Sequence, residues 1–200
     1  MSAAIVLPWR GTGCSYRQRH VDHLQALYGA LGYPVLLGDN EGVWNVSAAR
    51  NAGVRESGAD IVAVIDADTY IPLEQVEASI RLAGERYSLV KPFSLYGYLT
   101  EDATERYYAG SMDEPEFIHA PTAHFIGGAY VMRRDLWDAV GGFDEEFVGY
   151  GGEDNAYQIA CERVLNPTGY VEGLGYHLYH PADRQTTPQN MERLYALYWK

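Results

Sequence analysis

The chain has 200 residues, 47% of them hydrophobic, which suffices for one α/β domain with a full core. A formal net charge of −12 excludes a general nucleic-acid binder, which needs a basic face against phosphate. No apolar run reaches membrane-spanning length, and the start Met1-Ser-Ala-Ala-Ile-Val-Leu-Pro8 lacks a signal peptide's basic segment; a soluble, cytoplasmic protein is expected. Cys14 and Cys161 fit no metal-type spacing and are expected as free thiols.

In chain order, Ile5-Val-Leu7 reads as a short strand closed by Pro8-Trp9-Arg10 and the flexible Gly11-Thr-Gly13. A helix is expected from about Ser15, whose hydroxyl can cap it, with Val21, Leu24, Tyr28 and Leu31 inward and Gly32 at its exit. Tyr33-Pro-Val-Leu-Leu37 is a second strand, and Asn45 or Ser47 starts a helix reaching Gly58. The run Val62-Ala-Val-Ile-Asp-Ala-Asp68 is the centre of the pattern: a buried parallel strand ending in two carboxylates. Pro72 then opens a helix with Leu73, Val76 and Ile80 inward, and Ser88-Leu-Val90 makes a fourth strand. This alternation predicts a mostly parallel, helix-covered sheet.

Order loosens from Lys91 to Phe125, a stretch of weak periodicity long enough to be a functional or mobile loop. Gly127-Gly-Ala-Tyr-Val-Met132 restores regular structure, followed by a short helix over 134–140 that Gly141-Gly142 stop. Gly149-Tyr-Gly-Gly-Glu-Asp154 opens a helix with Ala156, Ile159, Ala160 and Val164 on one face, ended by Asn166-Pro167. Val171 to Tyr179 holds one or two strands. Thr187-Pro188 begins a last helix with Met191, Leu194, Tyr195 and Tyr198 inward. No linker divides the chain, so residues 1–200 read as one domain.

Three constellations carry chemistry. Asp66 and Asp68 repel each other unless a cation lies beside them, and hard carboxylate oxygens at a strand end suit Mg²⁺ or Mn²⁺ shared with substrate phosphates. His177 and His180 can converge on one ion, and imidazole shifts the preference toward Mn²⁺; each also fits the role of an ordinary structural histidine. Gly151-Gly-Glu-Asp154 lets backbone approach a ligand closely, with two acids at a helix N-terminus whose dipole favours negative charge. An N-cap aspartate after a turn accounts for Asp154, but not for so glycine-rich an approach to an acidic pair.

Together these resemble the nucleotide-sugar glycosyltransferases of the GT-A fold, in particular the β-1,4-galactosyltransferase C-terminal region and the family-two inverting transferases. The matching residues run from Ile5-Val-Leu-Pro-Trp-Arg10 through Ala49-Arg-Asn-Ala-Gly53, Ile65-Asp-Ala-Asp68, Gly127-Gly128 and Gly141-Gly-Phe-Asp144 to Tyr150-Gly-Gly-Glu-Asp-Asn155. The last block is the specific one. The resemblance implies an α/β, Rossmann-like central sheet flanked by helices and an inverting, metal-dependent transfer from a UDP-sugar to an acceptor hydroxyl. It implies that Pro8, Arg10, Asp39, Arg50, Asp66, Ala67 and Gly128 serve the donor, with Asp39 toward the base and Asp66 near the ribose or a metal-bound water. Asp154 would be the catalytic base and Glu153 an acceptor-positioning or sugar-contacting acid. Asp68, with Asp66 beside it, would bind Mn²⁺ (Mg²⁺ possible). In the galactosyltransferases a Met and a His three residues later complete that shell; here the positions are His177 and His180, with His180 preferred. Tyr150 stands where relatives often carry Trp.

The expected acceptor is a glycan or protein; the acidic charge disfavours a nucleic acid. A free-standing bacterial or viral enzyme fits a chain without stem or anchor. Two alternatives stand beside this reading: a non-catalytic nucleotide-sugar-binding module, against which Asp154 and both histidines argue, and a haloacid-dehalogenase-type phosphatase, which expects Thr or Val where Tyr70 stands.

Overall fold

The apolar run ahead of Asp66 forms a strand buried on both faces, and the architecture is arranged about it. In the computed structural model the strands are β1 (Ala3–Pro8), β2 (Val35–Gly38), β3 (Ile61–Ile65), β4 (Thr69–Tyr70), β5 (Leu89–Lys91), β6 (Leu95–Tyr98), β7 (Thr122–Ala123), β8 (Ala129–Arg133), β9 (Gly169–Tyr170) and β10 (Leu174–His177). The helices are α1 (Ser15–Gly29), α2 (Val46–Ser57), α3 (Leu73–Glu85), α4 (Glu101–Tyr108), α5 (Arg134–Val140), α6 (Glu153–Val164) and α7 (Pro188–Arg193), the last running into a π-helical turn, Leu194–Tyr198. The structure describes residues 1–11, 13–164, 167–181 and 187–199. Thr12 in the expected first loop and Asn166 at the expected helix stop lie outside them.

Six strands form the main sheet in the order β2-β1-β3-β8-β5-β9. β1 pairs parallel with β2 and β3, and β5 with β9, whereas β8 is antiparallel to both β3 and β5. The expected α/β, mostly parallel sheet is therefore present, with one reversed strand inserted at its centre. Side chains alternate between two cores. Ile5, Leu7, Ala63, Ile65 and Val131 pack with α1 through Val21, Leu24 and Tyr28, and with α3 through Val76 and Ile80. Val6, Val62, Val64, Tyr130 and Met132 pack on the other face with Val54 of α2, Leu136 of α5, and Tyr157 and Cys161 of α6. Helices on both faces explain why β1 and β3 read as unbroken apolar runs; each fully buried valine or leucine contributes roughly 1.5–3 kcal/mol.

Several local expectations are corrected. Cys14, not Ser15, is the N-cap of α1, and among the described residues no side-chain hydrogen bond caps that end. Asn45 caps α2 as expected, its side chain accepting from the Ala48 N–H. α6 buries Ala156, Tyr157, Gln158 and Cys161 and leaves Val164 exposed, because it is wedged between the main sheet and a small third cluster of Phe147, Ala156 and Leu194. Tyr195 points outward, since the π-helical turn shifts the stripe set by α7.

The stretch 91–125 is more ordered than its sequence suggests. It supplies β6, α4 and β7, and with β4 and β10 makes a second sheet in the order β4-β10-β6-β7. The pairing of His177 with Thr69 across β10 and β4 sets that histidine opposite the residue following Asp68. Register therefore joins the two metal-type motifs. No helix among the described residues is long and apolar enough to cross a membrane.

Candidate active site

Parallel strands deliver their carboxyl ends to one edge, where open α/β sheets bind ligands. Here a cleft of about 280 Å³ opens at that edge, with Pro8 and Arg10 from the end of β1, Asp66, Ala67 and Asp68 after β3, and Glu153 and Asp154 at the start of α6. The reversal of β8 brings its amino end to the same edge. The Asp66 N–H donates to the Gly128 carbonyl at 2.9 Å, continuing the β3–β8 register by one residue. Gly128 has φ +82°, and a Cβ there would sit 2.8 Å from the Tyr96 ring, so neither the backbone nor the space admits a side chain.

Arg50 holds one wall together. Only 2% exposed, its guanidinium donates to Asp154 Oδ1 at 2.7 Å and Asp66 Oδ1 at 2.8 Å. The Tyr130 hydroxyl also donates to Asp154 Oδ1, at 3.1 Å. Among the described residues no hydrogen bond falls on Asp154 Oδ2, which lies against the Gly127 backbone: a Cβ on Gly127 would be 2.8 Å from it. Burial raises the Asp66 carboxyl above its ordinary value; the Arg50 charge opposes this and the Asp154 and Asp68 charges add to it. Glu153 is 8% exposed, and its Oε2 is buried with no hydrogen-bond partner among the described residues. Burial, then the neighbouring Asp154 charge, pushes Glu153 up to about 7.

The other wall carries Asp68, His177 and His180, all buried, with ligand atoms within 4.8 Å of one another. Asp68 Oδ2 is 3.2 Å from His180 Nε2, 3.8 Å from His177 Nε2 and 3.1 Å from the Arg17 guanidinium. His180 Nδ1 lies 3.0 Å from the Pro181 carbonyl, an acceptor, so Nδ1 carries a proton. The ring's other nitrogen, Nε2, is the one turned to Asp68, 3.2 Å from its Oδ2. One carboxylate with two imidazoles is a donor set that suits Mn²⁺ and other first-row divalent ions, so the residues present fit a metal.

Most residues expected at the site meet there. Pro8, Arg10, Arg50, Asp66, Ala67, Asp68, Gly128, Glu153, Asp154 and His177 all line the cleft. His180 reaches it through Asp68. Asp39 does not line it: its carboxylate is 2.7 Å from Arg10 and faces a neighbouring depression with Asn40 and Glu145. Arg10 also donates to the Gly42 carbonyl at 2.6 Å and lies 5.6 Å from the Trp44 ring.

Three functional-looking residues carried no sequence signal. Arg17 sits in the first turn of a helix read only for its apolar stripe. Tyr130 looked like any residue of a buried strand. Lys91 is buried at the end of β5, donates to the carbonyls of Ile126 and Gly127, and lies 3.9 Å over the Tyr130 ring; burial pulls it down to about 7. Only a lysine ending an apolar strand could have marked it.

Comparison with known proteins bears on family and fold. The family model for the N-terminal domain of galactosyltransferase matches residues 112–180. The chain is 24% identical to the chondroitin synthase of Escherichia coli over 72% of its own length, and spans about a quarter of that relative, 26%. Its fold superposes on the Drosophila β-1,4-galactosyltransferase 7 mutant solved with manganese, UDP-Gal and xylobiose (TM-score 0.64, 13% identity, 96% of this chain and 78% of that one). It also superposes on Staphylococcus aureus TarS in complex with UDP-GlcNAc (TM-score 0.60, 11% identity, 99% and 65%). Both show the GT-A fold. A family model for glycosyl transferase family 2 covers residues 15–141, well over half of the chain, and the protein belongs to that family of glycosyltransferases.

Proposed function

We propose that the protein is an inverting, metal-dependent transferase that moves a sugar from a UDP-sugar to a glycan or protein hydroxyl, with Asp154 as general base. The observation that carries this reading is the asymmetry of the Asp154 carboxylate. Arg50 and Tyr130 both occupy Oδ1, and Oδ2 is left beside the Gly127 backbone at the cleft. A base needs one oxygen held in place and another within reach of the hydroxyl it deprotonates.

Asp68, His177 and His180 would hold the divalent ion, which supplies positive charge for the departing diphosphate. Arg10 and Arg17 line the same cleft and would meet the nucleotide and its phosphates, and Asp39 reaches the donor through Arg10. Arg50 orients Asp66 toward the donor and Asp154 toward the acceptor. Gly128 leaves room for the sugar. A shallower groove continues from Asp154 past Glu153 to Tyr150, His124 and Asn155, and supports reading that side as the acceptor's. Glu153 lines that groove beside Asp154, which supports reading it as an acid that positions the acceptor or contacts the sugar. Both sheets contribute to one cleft, which supports treating residues 1–200 as one catalytic unit.

UDP release from a panel of UDP-sugars, with and without Mn²⁺ and with glycan acceptors, tests the reading. Turnover that requires both metal and acceptor and yields the inverted anomer is expected. Binding without turnover across the panel, or retention of configuration, would overturn it.

A further inference from the structure

We propose that Thr104 and His20 are positioning residues for the metal centre: they hold the two peptide units that flank Tyr179, Thr104 through its N–H and His20 through its carbonyl, and so fix His180 against Asp68. The proposal rests on the reading of Asp68, His177 and His180 as metal ligands. It also gives the 91–125 stretch a role that its sequence did not reveal.

The chain from His177 to His180 leaves β10 and has no regular structure of its own, yet each peptide unit is tied to a different element. The His177 carbonyl accepts from the Leu99 N–H at 3.0 Å, and the Leu178 N–H donates to the Asp68 carbonyl at 2.8 Å. The Tyr179 N–H donates to Thr104 Oγ1 at 2.9 Å, from α4. The Tyr179 carbonyl lies 2.8 Å from His20 Nε2, from α1. A carbonyl can only accept, so His20 Nε2 carries the proton. The Tyr108 hydroxyl, 2.6 Å from Nδ1, then donates to the ring's other nitrogen. This fixes the tautomer of a histidine that is itself buried.

Four hydrogen bonds from four separate places hold three consecutive peptide units, and His180 is the next residue. These bonds add to the ring's own contact with the Pro181 carbonyl, and a ligand must be held within about 0.5 Å of its productive position. Partners that orient ligands are typically worth 10–100-fold in metal affinity. Thr104 and His20 act one residue away from the ligand, through backbone, and are distinct from the ligands themselves.

Helix packing alone would also bury Thr104, so the test must separate position from stability. Thr104→Val keeps the volume and removes the acceptor of the Tyr179 N–H. Thr100→Ala removes the N-cap of the same helix, where the Thr100 side chain accepts from the Ala103 N–H, and removes none of the four hydrogen bonds to the His177–Tyr179 backbone. Mn²⁺ titrations of the full chain with UDP present, read by electron paramagnetic resonance, compare the two with the unaltered protein. Thr104→Val should weaken Mn²⁺ binding about tenfold or more and speed hydrogen exchange at the Tyr179 amide in the metal-free protein. Thr100→Ala should lower Tm yet keep Mn²⁺ affinity within about twofold. Equal Mn²⁺ affinity in Thr104→Val and the unaltered protein, or equal loss in both variants, overturns the proposal while the metal reading stands. An unaltered protein that binds no Mn²⁺ with UDP overturns the metal reading, and the proposal falls with it.

Discussion

The two aspartates after β3 are separated by a single residue, yet the protein neutralises them in opposite ways. Asp66 faces Arg50, a fully buried cation that belongs to the chain and bridges to Asp154. Asp68 faces two imidazoles and Arg17, whose side chain is one-third exposed and can be displaced. One wall has its countercharge built in; the other gathers one carboxylate and two imidazoles, a donor set that fits a metal ion. The two acids of the D-x-D thus sit in different electrostatic surroundings.

The sharpest way to break this contrast is Asp154→Asn. If Asp154 is the general base proposed above, kcat should fall by about 10³-fold, within the range for a lost general base, while UDP affinity measured by calorimetry stays within about threefold. Arg50→Met should cost about 3–5 kcal/mol in urea unfolding, because it leaves carboxylates paired to a buried cation without that partner. Asp68→Asn should raise the Mn²⁺ needed for half-maximal activity about 100-fold while unfolding stability without metal changes by less than about 1 kcal/mol. If Arg50→Met proved mild and Asp68→Asn severe in metal-free unfolding, the division of labour would be reversed.

A pH series sharpens the first wall further. Glu153 is raised to about 7 from an ordinary 4.5, so its folded form stays protonated where the unfolded chain has ionised. Its contribution is fully present below pH 4.5 and is lost as pH rises toward 7. Glu153→Gln should flatten that part of the stability profile measured by denaturant titration at each pH. The smallest effect is expected from Arg17→Ala. Removing a cation that competes for Asp68 should tighten Mn²⁺ binding without nucleotide by about threefold, under about 1 kcal/mol.

How far the sequence revealed this varies with the physical signal available. β3 and its terminal carboxylates were legible because a continuous β-branched run that stops at charge fits little except a buried strand reaching the edge of its sheet. The direction of β8 was not, because Gly127-Gly-Ala-Tyr-Val-Met132 has the same apolar pattern whichever way it runs. α6 misled because both its sides are covered, and a single inward stripe does not exist there. The glycine approach to Glu153 and Asp154 was legible as a motif. The partners of those acids were not: Arg50 sits in a helix segment whose arginine looks like any surface charge, and only the fold turns it inward. The 91–125 stretch hid β6 and α4 because its short elements pack largely through tyrosines, which give weak periodicity.

The reversed strand at the centre of the sheet has a consequence for how the molecule is made. During synthesis β3 emerges long before β8, so one edge of the most apolar strand waits unpaired while α3, β5, β6, α4 and β7 are added. Unpaired edges of this kind recruit other chains. When β8 arrives it seals that edge, and the hydrogen bond from Asp66 to Gly128 closes in the same register. The step that protects the nascent chain from aggregation is also the one that sets the glycine turn beside its carboxylates.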